Sequence, residues 1–383
     1  MADPFAGSGT TLVEALSVGR RAVGIDVDPI ACLIAKTQTS KYKSEWLARL
    51  LRSSLEDISR LEQELAENVP SEEGLGSGMS FRVNGHLAQI PDGAEIEYWF
   101  SPNQRAVLAT LKAYSDRVPS KRQRQILRLA ISSAIVRKWP STLSRAMDID
   151  HSRPHRSHPV HRTVRQQFKL FRRVLTEVVQ CLKGMVPVSA RWLHEGEVLE
   201  GNCVDTITTL PAGSVDLILT SPPYVNAIDY PRAHKFSEWW LSPGAECCKR
   251  ANYIGLRTPQ HDPLVSEAAR KLAPEAMTTL DWLRRKSSGK YGLVCKYVDD
   301  MAKVVDGCQR ALANNGKLVF VLADNRVGDR TIPVVNLVKE LLGAQGFKNV
   351  ESVRRRIKNH RRRYPFGFDG VMKSEAIITA AKR

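Results

Sequence analysis

Asp3-Pro4-Phe5-Ala6-Gly7-Ser8-Gly9-Thr10-Thr11 opens the chain as a strand end, a glycine-rich bend and the first turn of a helix. Glycine at 7 and 9 lets the backbone turn tightly and approach a ligand with no Cβ in the way. The helix start that follows directs unpaired N–H groups at that ligand. The pattern predicts a helix from Thr10 to Ser17 with Gly19 as its stop signal, then a strand over Arg21–Asp26. A second helix is predicted from Pro29 to Lys36, its proline early, where it is tolerated. Asp26 stands at the end of the second strand, at the spacing of a carboxylate that grips ribose hydroxyls. Asp28 reads as the cap of the helix that starts at Pro29. The bland alternative for the bend is a tight turn that serves packing alone.

Outward from this unit the texture changes. Trp46, Leu47, Leu50, Leu51, Leu55, Ile58, Leu61 and Leu65 recur at helical spacing. An exposed loop is expected at 70–79, and further helices near 103–115, 121–138 and 164–183, with no strand pattern of any strength in 44–190. Alternating strands and helices return at 197: strands at 197–200, 214–220, 317–322 and 374–380, an extended stretch at 347–357, and helices near 295–313 and 332–343. The first of these helices is expected to end at Asn314-Asn315-Gly316. Strands alternating with helices imply an α/β fold, a doubly wound Rossmann-like sheet with a mostly helical insertion. The expected division is 1–43, 44–190 and 191–383.

Composition bounds the partners. The 383 residues carry a net charge of +17, and a chain this basic points to a polyanion, nucleic acid first, over a basic surface without a partner. Seven cysteines with no CxxC spacing read as reduced thiols of a cytoplasmic protein. No apolar run is long enough to cross a bilayer and no signal peptide is evident, so no membrane partner is expected.

A second motif, Thr220-Ser221-Pro222-Pro223-Tyr224, follows the apolar strand Ser214–Thr220 and so falls at the carboxyl edge of the sheet, where ligands bind. Asp-Pro-Phe-x-Gly-x-Gly-Thr followed by Gly-Ile-Asp-x-Asp-Pro resembles motifs I and II of the DNA methyltransferases that modify exocyclic amino groups, and Ser-Pro-Pro-Tyr resembles their catalytic motif. The resemblance covers 1–36 and 197–383 well and the helical region loosely. It implies S-adenosylmethionine as cofactor. Asp3, Phe5, Ala6, Gly7, Ser8, Gly9 and Thr10 would lie around its methionine part and Asp26 on its ribose. Leu199-Glu200-Gly201-Asn202-Cys203 is similar to motif III and would bring Asn202 to the adenine ring. Asp is commoner at that place, Asp205 is a neighbouring alternative, and a plain turn residue is an equal reading.

The chemistry implied for Ser221, Pro222, Pro223 and Tyr224 has a physical basis. An amino group conjugated with its ring is a poor nucleophile. Acceptors must hold its two protons so that nitrogen density points at the methyl group. A serine hydroxyl and the carbonyl before a rigid proline pair supply them, and Tyr224 offers a flat face to a base swung out of the duplex. Within the family, Ser in first place accompanies cytosine-N4 methylation, whereas Asp usually accompanies adenine-N6 methylation. Cytosine N4 is therefore favoured. The alternatives are adenine N6, RNA as substrate, and a catalytically silent DNA-binding remnant.

The motif order matches the branch that sets target recognition between motif I and the catalytic motif, which assigns 44–190 that role. Residues 117–173 hold fifteen Lys/Arg against two acids, and 354–363 hold seven basic residues and no acid. Both suit phosphates of double-stranded DNA, or else a solubilising surface. Arg232, His234 and Lys235 are candidates for phosphates beside the flipped base, unless Arg232 pairs with Asp229. His151, His155, His158 and His161 stand among arginines that oppose a cation, so no metal site is expected. Only Met1-Ala2 precede Asp3, and no copy of the family's motif X helix is found. A start assigned too late, a separate chain supplying the element or a decayed gene product would each account for this, and weak cofactor binding is expected of the chain as written. The resemblance further implies a nucleoid-associated location and a cognate restriction endonuclease.

Overall fold

Seven strands, from two to eleven residues long, assemble one sheet. Its strands are β1 (Ala2–Asp3), β2 (Val23–Asp26), β3 (Glu197–Glu200), β4 (Val215–Thr220), β5 (Leu312–Leu322), β6 (Lys348–Arg356) and β7 (Ser374–Ala381). The computed structural model describes residues 1–71, 73–137, 141–146, 162–225, 230–242, 253–255, 274–327, 330–357 and 374–383. The spatial order is β6-β7-β5-β4-β1-β2-β3. Neighbours from β3 through β5 are parallel, and β7 runs antiparallel to both β5 and β6. This is the doubly wound α/β arrangement. From β1 the chain proceeds one way to β2 and β3, and from β4 the other way to β5, so the order reverses between β1 and β4. Open α/β sheets bind ligands in the crevice at the carboxyl ends of such a pair.

β1 is two residues long and still holds the middle of the sheet. Ala2 and Asp3 pair with Val23 and Gly24 on one side, and Ala2 pairs with Ile218 on the other. The sheet is therefore continuous across this two-residue strand. Gly24 makes this possible from the next strand. A Cβ there would lie 2.7 Å from Ala6 Cβ and 3.0 Å from both Leu12 methyls, so the bend and its helix pack directly on bare backbone.

The chain divides into two compact units, the first made of Met1–Cys32, Gly196–Asp229 and Lys249–Arg383. Its core lies between the sheet and two helices, Ser288–Ala311 and Val334–Ala344. Tyr297, Met301, Val304, Val305 and Cys308 recur along the first at helical spacing, and Val334, Leu337, Val338 and Leu341 along the second. The helix that was expected to end at Asn314-Asn315-Gly316 ends instead at Ala311, and β5 begins at once. The Asn-Asn-Gly signal marks an irregularity within the strand. Val215 faces Leu312 while Leu217 faces Lys317, and Asn315 takes φ 62° to make the excursion.

The second unit, Leu33–Glu195 with Tyr230–Cys248, is mostly helical. Ser44–Glu67, Pro102–Arg117, Lys121–Ile135 and Val164–Ser189 occupy the predicted places. Ser101 and Thr163 close capping boxes with Gln104 and Gln166 at the second and fourth of these. The helix Tyr230–Leu241, which follows the Ser-Pro-Pro-Tyr segment in sequence, belongs to this unit and sets Phe236 and Trp240 against Phe100. A hairpin, Ser80–Val83 with His86–Gln89, stands where no strand was expected. Among the described residues no helix is long and apolar enough to cross a membrane.

The close approach at Gly24 gives a direct test of packing. Overfilling a packed core costs roughly 1–3 kcal/mol. Gly24→Ala should lower the urea midpoint of unfolding by a corresponding amount, and an unchanged midpoint would contradict the packing described.

Candidate functional site

The two sequence motifs meet at the crevice. Asp3 ends β1, Thr220 ends β4, and the Thr220 hydroxyl donates to Asp3 Oδ1 at 2.5 Å. The same oxygen accepts the Phe5 N–H at 3.1 Å. Asp3 is 3 % exposed and Thr220 1 %. Burial pushes the Asp3 carboxyl above its usual range, and hydrogen bonds from Thr220, Thr11 and the Phe5 amide oppose the rise. Sequence reasoning assigned no role to Thr220. Nothing in a single sequence marks its hydroxyl as the partner of a carboxylate 217 residues away.

The bend after β1 is built as its glycines require. Gly7 takes φ +51° and Gly9 φ +87°. A Cβ on Gly7 would meet nothing within 4 Å, so the backbone is bare on an open side. Ala6 donates to Ile25 O at 2.9 Å and Gly9 to Ala6 O at 2.8 Å. Ser8 and Thr10 are exposed, with their hydroxyls 3.3 Å apart, while Phe5 packs on the core of the first unit. Asp26, at the end of β2, accepts the Gly7 N–H on Oδ2 at 2.7 Å and the Asp28 N–H on Oδ1 at 2.9 Å. Burial raises its carboxyl to about 6 against these two bonds. An ionised carboxylate has about four acceptor positions, so two remain for outside donors such as a pair of vicinal hydroxyls. Asp28 Oδ1 accepts the Ile30 and Ala31 N–H groups, the predicted helix cap. Asn202 caps the short helix Cys203–Thr206 through Oδ1, which accepts the Val204 N–H at 3.0 Å. Gly201 N bonds Asp26 O at 2.9 Å, so Asn202 follows directly on a residue tied to the end of β2.

Past β4, Ser221 is exposed, Pro222 buried, and Pro223 and Tyr224 half-buried. Burial, with Glu375 nearby, raises the Tyr224 phenol, and Arg355 opposes it. Gly255, at φ +81°, backs this corner: a Cβ there would lie 3.5 Å from Tyr224 O and 3.6 Å from the Tyr297 ring. Gly255 and Tyr297 are supports that the sequence reading missed, for they sit far along the chain without a motif.

The basic stretches look different in three dimensions. Within the second unit, Arg122 pairs with Glu195, Arg128 with Asp116, Arg137 and Arg173 with Glu177, and Arg172 with Glu62. Every one of these acids lies outside 117–173, so the run is less positive in space than along the chain. Lys235 holds its ammonium 4.8 Å above Trp99, 5.0 Å from Phe236 and 5.6 Å from Trp239. Its charge is thus engaged by aromatic faces of its own unit. In the first unit Arg354 pairs with Asp324 and Arg355 with Glu375 along the sheet-edge strand β6. Charges there also guard an open strand edge. Asp229, His151, His155, His158, His161 and Lys358–Arg363 lie outside the described residues. Among those described, no group of three or more potential ligands could hold a metal, and Cys32, Cys181, Cys203, Cys295 and Cys308 are free thiols.

This arrangement is suited to a ligand with vicinal hydroxyls and a charged tail, laid along bare glycine backbone beside the Ser-Pro-Pro-Tyr corner. A family model named for N6 and N4 methyltransferases and described as DNA methylase matches residues 1–37. The chain is 21 % identical over 375 residues to Type II methyltransferase M.MvaI of Kocuria varians, covering 94 % of this chain and 77 % of that one. It is 38 % identical over 66 residues to Type II methyltransferase M.MjaII of Methanocaldococcus jannaschii, covering 17 % and 12 %. A solved structure from Thermus thermophilus, described as a candidate DNA modification methylase complexed with S-adenosyl-L-methionine, is 18 % identical over 48 % of this chain and 53 % of its own, with a TM-score of 0.26. That likeness is too distant to define the fold, which rests on the strand order above.

The buried carboxylates make two predictions. Thr220→Val removes one donor to Asp3, leaving the Phe5 amide and Thr11, and should destabilise the chain by about 1–3 kcal/mol in urea unfolding, the scale of a lost hydrogen bond to a buried carboxyl. Thr220→Ser should restore most of the loss, and equal stability of all three proteins would contradict the role given to the hydroxyl. For Asp26 the sign follows from its raised value. The folded protein holds this proton more tightly than the unfolded chain, so its support for folding is full below about 4 and is lost as pH rises through about 6. About two units correspond to roughly 3 kcal/mol. Between pH 4 and 6.5 the wild type should lose up to that much stability relative to Asp26→Asn, and parallel pH profiles would contradict it.

Proposed function

We propose that this chain, which belongs to the amino DNA methyltransferases of the N4/N6 type, transfers a methyl group from S-adenosylmethionine to the N4 amino group of cytosine in double-stranded DNA. The observation that carries this reading is the Asp3–Thr220 hydrogen bond at the reversal point of the sheet, because it joins the glycine bend to the catalytic corner. The donor-site residues are compatible with S-adenosylmethionine. Gly7 leaves its side open, Asp26 keeps two acceptor positions, and Ser8 and Thr10 present hydroxyls at the helix start. Bound there, S-adenosylmethionine supplies an electrophilic methyl group for an in-line displacement.

The chain's own residues do the rest by positioning. The Ser221 hydroxyl and the main-chain carbonyl before the proline pair accept hydrogen bonds from the two amino N–H groups, turning the nitrogen lone pair out of conjugation. As nitrogen takes the methyl group and the neutral thioether departs, one of the two protons passes by way of the exposed Ser221 hydroxyl to solvent and the other stays on the product. Pro222 and Pro223 fix that carbonyl, since each locks its own φ. Tyr224, half-buried and with its phenol kept protonated, gives the extruded base a flat apolar face. Serine rather than aspartate in first place favours cytosine N4 over adenine N6. The second unit is the candidate for target recognition. A cytoplasmic, nucleoid-associated location and a cognate restriction endonuclease belong to the same proposal.

Methyl-group mapping on DNA from cells expressing the chain should find N4-methylcytosine at a defined sequence. Ser221→Ala should lower the rate on that DNA at least about 100-fold, the scale of losing one positioned hydrogen-bonding group, while S-adenosylmethionine still binds. N6-methyladenine in place of N4-methylcytosine would overturn the base assignment, and an unimpaired Ser221→Ala would overturn the role of the corner.

A further inference from the structure

The second unit contains a cavity of about 430 Å³ between the helices Ser44–Glu67 and Pro102–Arg117 and the hairpin Ser80–Val83/His86–Gln89. This lies within the range of small-molecule sites. Part of its wall is apolar, formed by Leu61, Val83, Ala88 and Val118 with Ala113 facing the space, and Thr110 and Asn84 also line it. Its polar groups are of two kinds. Tyr114 donates to Asp57 Oδ2 at 2.9 Å while Arg60 pairs with Asp57 Oδ1 at 2.6 Å, so the one acid of the lining is answered from both sides. Arg117 and His86 are exposed and add positive or proton-donating groups, and Arg117 makes no ion pair among the described residues.

We propose that this cavity binds a nucleotide, with the base between the apolar walls and the phosphate at Arg117 and Arg60. The lining selects this class over its competitors. A lipid tail would have to bury the Tyr114–Asp57 pair against hydrocarbon, which is costly for polar groups. A bare inorganic anion would leave the apolar walls unused. A flat ring with polar edges and an attached anion meets both kinds of surface. The same chemistry comes from two sources, a free mononucleotide or a residue of a nucleic-acid strand, and the test separates them. The proposal does not depend on methyl transfer.

The 383-residue chain is titrated calorimetrically with thymidine 5′-monophosphate, with inorganic phosphate, and with a short single-stranded oligodeoxynucleotide. Two variants localise the binding: Arg117→Ala removes the exposed guanidinium, and Ala113→Leu fills the space. Thermal unfolding checks that each variant is folded. The expected result is nucleotide binding weakened at least tenfold by either variant, with phosphate alone binding at least tenfold more weakly than the nucleotide. If the oligonucleotide loses affinity in parallel, the occupant is a strand residue. If only the mononucleotide does, it is a free nucleotide. Absence of binding by both nucleotide probes, binding that both folded variants leave within twofold, or phosphate binding as tightly as the nucleotide would overturn the proposal.

Discussion

A carboxylate buried at the centre of a parallel sheet constrains everything near it. Asp3 lies where β1 meets β4, almost fully covered, and burying such a group is costly unless donors surround it. Its donors come from both directions: the Phe5 amide from the bend that follows β1, and the Thr220 hydroxyl from the strand that leads into Ser-Pro-Pro-Tyr. A shift of either the bend or the end of β4 would cost this carboxyl one of its donors. One hydrogen bond therefore ties the strand end before the bend to the strand end before the Ser-Pro-Pro-Tyr corner.

The remaining supports follow from that seam. Gly24 lets the helix after the bend press on β2 with no side chain between. Asp26 ties the bend from the next strand by accepting the Gly7 N–H, and Gly201 in turn bonds Asp26 O from the end of β3. On the other flank Gly255 backs the Tyr224 carbonyl and lies beside the Tyr297 ring. The carboxyl ends of β1, β2, β3 and β4 thus share a continuous set of hydrogen bonds and close contacts. Asp26 serves structure and candidate ligand binding at once. Hydroxyl donors from a ligand would favour its charged form, so occupancy of the crevice and ionisation of this group are linked.

Much of this fold was legible from local chemistry. The helix Thr10–Ser17 has the bounds its sequence predicts because Gly9 and Gly19 punctuate it. β3 and β4 follow from apolar runs between turn residues. The hairpin at 80–89 escaped notice because its strands are four residues each and only Val83 and Ala88 are buried. Its signal was nonetheless present in Asn84-Gly85, which take φ 49° and 71° as a tight hairpin turn demands. The Asn-Asn-Gly at 314–316 carried the opposite risk, a turn signal that serves a bulge instead of a helix end. Most of the acids that neutralise the 117–173 arginines could not be read from the sequence, because only the folded chain brings Glu62 to Arg172, Glu177 to Arg137 and Glu195 to Arg122, whereas Arg173 and Glu177 stand at i,i+4 on one helix. The site divides in the same way: the residues on the bend and the corner announce themselves by motif, whereas Thr220, Gly24 and Gly255 act through contacts that only the folded chain creates.

The most direct test of the shared crevice is a crystal structure of the chain with S-adenosylmethionine bound. The account predicts the ribose hydroxyls on Asp26, the methionine end along Gly7–Gly9, and the methyl carbon facing Ser221 and Tyr224. A donor bound elsewhere, or bound with its methyl group turned away from the Ser-Pro-Pro-Tyr corner, would contradict it.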